Sequence, residues 1–199
     1  MTDDISSWIG RHAANAPDRI AIRFEGNEIS YRALHARVLG CANYLHNVHG
    51  INPGDRVAYL GFNTPECVIL LFACAKLGAI YLPLNWRLPL PELAYVLGPA
   101  TPKVVIADSL QQEAAIRLVA GHSGCTSVDH TRVAPVPKDG GVVLPASNIE
   151  RDLDAPILLV YTSGTTGQPK GVLLTQNALL VNALTVSYTH LTLPTIYSV

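Results

Sequence analysis

Apolar residues along the first 130 positions follow two spacings in turn. Tyr31, Leu34, Val38, Cys41 and Leu45 fall three or four apart, on one face of a helix, while Arg32, His35 and Arg37 fall away from it. Ser30 precedes this run with a hydroxyl suited to cap it. Residues 3–16 predict an earlier helix, entered by Asp3 or Asp4 and ended before Pro17. Between the two, IAIRFEG and NEIS predict short strands around a Glu-Gly-Asn turn.

From residue 56 the pattern becomes strand, helix, strand. GDRVAYLG, AIYLPL, KVVIAD and CTSVD predict strands. NTPECVILLFACAKLG predicts a helix with Pro65 near its first turn and Gly78 at its end. PLPELAYVLG predicts a short helix, again with proline early and glycine late, and LQQEAAIRLVAG another. The strands are apolar on both faces, as in a sheet covered by helices. Crossovers of this length favour parallel pairing with right-handed connections. Residues 130–155 lose the pattern, hold Pro135, Pro137, Gly140, Gly141 and Pro145, and predict an irregular surface loop. PILLVY predicts a further buried strand and TQNALLVNALTV a helix capped by Thr175. SYTHLTLPTIYSV, residues 187–199, is β-branched and has no helical periodicity. The fold class expected is α/β, a mostly parallel sheet flanked by helices.

Composition narrows the function. The 199 residues suggest one domain, or a domain plus a piece. Only 15% are charged, against about 25% in ordinary soluble domains, and the net charge is −1. No basic footprint for nucleic acid exists. The longest apolar stretch, residues 67–84, is interrupted by Lys76 and Gly78, so no transmembrane segment is expected. The first residues are acidic and do not resemble a signal peptide. Cys41, Cys67, Cys74 and Cys125 form no C-x-x-C pair and are expected as core thiols, with the cytoplasm as default location. His12, His35, His46, His49, His122 and His130 show no ligand spacing, and are expected to pack or to face solvent.

The chemistry concentrates in YTSGTTGQPKGVLL, residues 161–174. A buried strand that empties into glycines and hydroxyls is suited to phosphate: glycine lets the backbone approach, and successive N–H groups can share an anion. Gly164 and Lys170 have the Gly-to-Lys separation of a P-loop. However, Pro169 stands where its second glycine belongs, and Gly171 replaces the magnesium-binding hydroxyl. LVYTSGTTGQPKG instead resembles, from Leu159 to Lys170, the phosphate-binding signature of the adenylate-forming superfamily: acyl-CoA synthetases, luciferases and peptide-synthetase adenylation domains. ISYRALHARV, NAPDRIAI and KLGAIYLPLNWRLPLPEL are similar to earlier blocks of that family. The Asn85-Trp86-Arg87-Leu88 form looks more like its acyl-CoA synthetases. Pro83 and Leu84 are expected to shape the sheet, and Asn85 and Arg87 to fix a loop.

The resemblance implies the N-terminal portion of the adenylate-forming fold and a two-step reaction. A carboxylate, fatty or another small organic acid, attacks the α-phosphate of ATP with Mg²⁺ present. Pyrophosphate leaves, and coenzyme A then displaces AMP. By the same resemblance Thr162, Ser163, Gly164, Thr165, Thr166, Gly167 and Lys170 hold the ATP phosphates, and Tyr161 packs beneath. No catalytic residue and no metal ligand is assigned in this chain. The family's aromatic-Gly-x-Thr-Glu segment, ribose-binding aspartate and C-terminal domain with its catalytic lysine have no counterpart in the sequence. Residues 1–186 are therefore expected to be a partial AMP-binding domain that is inactive alone, and residues 187–199 a non-native tail. His190 lies before Leu193 and Pro194, the reverse of the family's Leu-Pro-x-x-His context. Two alternatives remain: an adenylation domain or acyl-AMP ligase that loads a carrier protein, and a non-catalytic partial nucleotide-binding module.

Overall fold

A computed structural model describes residues 4–133, 152–162 and 169–192. The chain opens with a 3₁₀ turn, Ile5–Ser7, and helix α1, Trp8–Asn15. Asp4 caps the turn by accepting from the Ser6 N–H. Strands β1 (Ile20–Phe24) and β2 (Asn27–Ser30) form an antiparallel hairpin. Glu25 and Gly26 both have positive φ (48° and 78°), the left-handed pair that a two-residue hairpin turn requires. Helix α2 spans Tyr31–His49, and Ser30 accepts from the Ala33 N–H as its cap. Leu34, Val38, Cys41 and Leu45, four of the positions on the apolar stripe, are buried.

The main body alternates β3 (Arg56–Leu60), α3 (Pro65–Leu77), β4 (Ile80–Leu84), α4 (Leu90–Ala100), β5 (Val104–Ala107), α5 (Gln112–Ala120) and β6 (Thr126–Asp129). Strands β7 (Pro156–Thr162) and β8 (Lys170–Thr175) and helix α6 (Gln176–Thr192) follow. The six-stranded sheet has the order β6-β5-β3-β4-β7-β8, parallel throughout except for the β7–β8 pair. Side chains alternate across it. Val57, Tyr59, Tyr81, Val104 and Ile106 join α2 and α3 on one face. Ala58, Leu60, Leu82, Leu84, Val105 and Ala107 join α4 and α5 on the other. Crossovers of one hand that run in opposite directions must lie on opposite faces. Here β3→β4 and β4→β5 run in opposite directions, with α3 and α4 on opposite faces. The switch point lies between β3 and β4, at the carboxyl ends of the strands.

Three elements differ from expectation. The run after Lys170 is a strand, β8, which closes the sheet edge antiparallel to β7. Helix α4 does not stop at Gly98 but continues to Ala100, because Ala100 is itself buried. Thr101 (φ 41°) then turns left-handed, its N–H bonding Leu97, and Pro102 prevents continuation. Helix α6 runs to Thr192, six residues into the stretch without helical periodicity. Pro194, which cannot continue a helix, follows two residues later. The irregular loop and the end of the proposed tail, residues 134–151 and 193–199, lie outside the described residues.

Two predictions follow from the α2 region. Gly50 ends the helix with φ 60°, and nothing lies within 4 Å of where a Cβ would stand. Gly50→Ala therefore isolates the left-handed backbone term, and urea titration should show a loss of about 1 kcal/mol. Burial lowers the pKa of His35, with Lys76 adding to the effect, and burial lowers that of His49. Both folded-state values lie below the unfolded value of about 6.5, so the unfolded chain binds more protons as pH falls. Stability is expected to decline as pH drops through and below 6.5. The decline should be shallower in a His35→Gln, His49→Gln double variant, measured as urea midpoints at pH 7.5 and 5.5.

Candidate functional site

Strand β7 delivers Thr162 to the carboxyl edge of the sheet, and β8 starts opposite it. The ladder pairs Thr162 with Lys170 directly. Of the residues expected to hold phosphate, these two are described and stand face to face. Ser163, Gly164, Thr165, Thr166 and Gly167 lie outside the described residues. Lys170 is exposed at the start of its strand, where its ammonium group can reach an anion. Tyr161 lies against Gly171: a Cβ at Gly171 would come within 3.1 Å of the Tyr161 ring and of Leu159. Tyr161 thus packs beneath the hairpin's mouth. Its phenol is pushed above its ordinary value by burial, with Tyr95 nearby adding to the shift, and so stays neutral.

Beside this mouth lies a cavity of ≈ 790 Å³. Pro83, Leu84 and Asn85 of the β4 end form one wall, Glu92 and Tyr95 of α4 another, and Val160 to Thr162 a third. Sequence reasoning missed its α4 wall. The signal available was Tyr95, a large side chain 43% exposed on the turn opposite the buried Leu93 and Leu97.

A second cavity of ≈ 890 Å³ opens at the β3/β4 switch point. The Phe62 and Trp86 rings meet there at 4.3 Å between centroids, and the Arg87 guanidinium lies 4.7 Å above Trp86. Asn85 accepts from the Arg87 N–H at 3.1 Å and closes the tight turn after β4, as expected of a loop-fixing residue. Asn85 and Arg87 also line this cavity. Tyr59 donates to the Phe62 carbonyl at 3.2 Å, and burial pushes its phenol well up. His46, His122 and His130 bond backbone carbonyls of Ile51, Leu118 and Ala107 through Nδ1. Cys41 and Cys74 are fully buried and Cys67 and Cys125 partly so, none in a disulfide. Among the described residues no three His, Cys, Asp or Glu side chains gather to hold a metal ion.

The family model described as AMP-binding enzyme matches residues 9–197. The chain belongs to this family. As an AMP-binding family member it is 40% identical over 195 residues to an indoleacetate–CoA ligase of Aromatoleum aromaticum, covering 91% of this chain and 36% of that protein. It is 39% identical over 186 residues to a feruloyl-CoA synthase of an Amycolatopsis species, covering 92% and 35%. Among solved structures it superimposes on o-succinylbenzoate CoA synthetase of Bacillus subtilis, bound to its acyl-adenylate intermediate. That match has a TM-score of 0.76 at 25% identity, covering 97% of this chain and 47% of that one. The chain spans about a third of the length of the curated relatives it matches. The mostly parallel sheet flanked by helices is that of the family's N-terminal domain. No helix among the described residues is long and apolar enough to cross a membrane.

Proposed function

We propose that this chain supplies the phosphate-binding side of an ATP-dependent, AMP-forming acid–CoA ligase. The observation that carries the proposal is the Thr162–Lys170 pair, held across the mouth of one hairpin at the sheet's carboxyl edge. Between those residues the sequence carries the Ser163, Gly164, Thr165, Thr166 and Gly167 signature. In the reaction, the acid's carboxylate attacks the α-phosphate and pyrophosphate leaves; the thiol of coenzyme A then displaces AMP. Charge builds on the leaving pyrophosphate, where the Thr162 hydroxyl and the Lys170 ammonium group are placed to meet it. Mg²⁺ would arrive with the phosphates and neutralise part of their charge.

Indoleacetate and ferulate, the acids in the relatives' names, are both carboxylates carried on an aromatic ring. An aryl-substituted acid is accordingly the first substrate class to test, ahead of fatty acids. Asn85-Trp86-Arg87-Leu88 favours coenzyme A over a carrier protein as acceptor. The adenine and ribose segments and the catalytic lysine have no counterpart in residues 1–199, so these residues are proposed to be inactive by themselves. A cytoplasmic setting suits four unbridged thiols and a reaction fed by ATP and coenzyme A.

The test is ATP–pyrophosphate exchange by a chain of the relatives' full length, over a panel of arylacetic, hydroxycinnamic and fatty acids. Exchange dependent on one acid class supports the proposal. No exchange with any acid, or turnover by the 199-residue chain alone, counts against it.

A further inference from the structure

Strand β7 joins the parallel sheet through β4. Its registered pairing with β4 is Tyr81 with Leu158. Its pairing with β8 runs from Pro156 opposite Thr175 to Thr162 opposite Lys170. Pro83, two residues beyond Tyr81, has no N–H to offer either neighbour. Past Leu158, the ≈ 790 Å³ cavity lies between Pro83 and Leu84 on one side and Val160 to Thr162 on the other. Leu159 and Tyr161 pack the hairpin against the cluster of Leu82 and Leu84, and its base ties it to the rest of the fold. A two-stranded hairpin is marginal by itself in water, so both attachments set where its far end stands.

Several connections converge at that base. The Gln176 N–H bonds the Ala155 carbonyl at 3.1 Å and the Asn177 N–H that of Leu153 at 2.8 Å. Thr175 caps α6 by accepting from the Ala178 N–H at 3.2 Å. Another connection joins the two ends of the chain: the Ile5 N–H donates to Gln176 Oε1 at 3.2 Å, across 171 positions of sequence. Ile5 is 4% exposed and forms an apolar cluster with Ala75 of α3 and Ile157 of β7, flanked by Trp8, Phe72 and Leu179. Asp4 holds the turn that presents this N–H, through its carboxylate to Ser6 and its carbonyl to Ser7.

We propose that Gln176 is a positioning residue for the phosphate site. Its side chain clasps the N-terminal turn and so ties the hairpin bearing Thr162 and Lys170 to α1 and α3. The proposal rests on the phosphate-binding role given above. Gln176 stands at the opposite end of β8 from Lys170, about 20 Å away at strand rise, so it acts through the hairpin and not on the ligand.

The test titrates magnesium pyrophosphate into the 199-residue chain by calorimetry, at a temperature where every variant is folded. Gln176→Ala is expected to weaken binding about fivefold, the effect of one ordinary hydrogen bond. Gln176→Glu keeps an acceptor oxygen and is expected to restore binding. Amide exchange at Lys170 to Leu174 should quicken in Gln176→Ala and not in Gln176→Glu, with α2 and β3 unchanged. Equal pyrophosphate affinity in all three proteins overturns the positioning role while leaving the phosphate role standing. Absence of binding by the unsubstituted chain overturns the phosphate role, and this inference with it.

Discussion

Lys170→Ala, in a chain of the relatives' full length, is expected to lower acid-dependent ATP–pyrophosphate exchange about a hundredfold, the usual size of losing one charged donor at a transition state. The side chain is exposed at the first position of β8 and belongs to none of the apolar clusters, so its loss should leave the folded structure and the urea midpoint unchanged. Its position decides which kinetic constant moves. In the proposed role, a cation paired across the hairpin from Thr162 would meet the β- and γ-phosphates, whose charge grows only as the bond to the α-phosphate breaks. An interaction stronger in the transition state than in the ground state lowers kcat more than it raises KM. Lys170→Arg keeps the charge but replaces a compact ammonium group with a broad fork, and is expected to recover part of the loss. Exchange within twofold of the parent in Lys170→Ala would remove this residue from the phosphate site.

How far the sequence foretold this arrangement depended on whether the physics was local. The stripe Leu34, Val38, Cys41, Leu45 showed the buried face of α2, because helical period and burial are the same fact seen twice. The alternation of strand and helix from Arg56 to Asp129 showed a parallel sheet, because crossovers of that length permit little else. Strand β8 was not legible. Val172, Leu173 and Leu174 are a short apolar run with no alternation, and what makes them a strand is β7, across a connection whose residues carry no periodic signal. Helix α4 overran Gly98 for a tertiary reason, the burial of Ala100 against the sheet. At the site, the types of Thr162 and Lys170 were readable but their confrontation was not, since it comes from ladder register. Both cavities come from strand order, which places the β4 end beside β3 on one side and β7 on the other. The clasp between Ile5 and Gln176 was invisible for the same reason.

Asp108→Ala is expected to destabilise the chain by about 2–4 kcal/mol, since each buried donor left without a partner costs about 1–3 kcal/mol and water reaches some of them. Asp108 is 7% exposed at the end of β5, in the wall of the switch-point cavity, where a carboxylate invites assignment as an acid or base. Its hydrogen bonds assign it elsewhere. One oxygen accepts from the Phe62 N–H at 2.8 Å; the other accepts from the Leu110 N–H at 3.0 Å and shares the Gln111 N–H, at 2.9 Å, with the Asp108 carbonyl. The first bond fixes the connection from β3 to α3, and the other two fix the approach to α5. These connections leave on opposite faces of the sheet, so one side chain bridges the elements that diverge there. Alanine would release both, and against a total stability of about 5–15 kcal/mol the loss is large. Asp108→Asn keeps one acceptor oxygen but turns an NH₂ toward a backbone N–H, and is expected to fall between alanine and the parent. The measurement is the urea midpoint at constant m-value, with Phe62 and Trp86 contacts followed by tryptophan fluorescence. A midpoint for Asp108→Ala indistinguishable from the parent would mean that the Phe62 and Leu110 N–H groups are satisfied without the carboxylate, and would reopen Asp108 as a group available for chemistry.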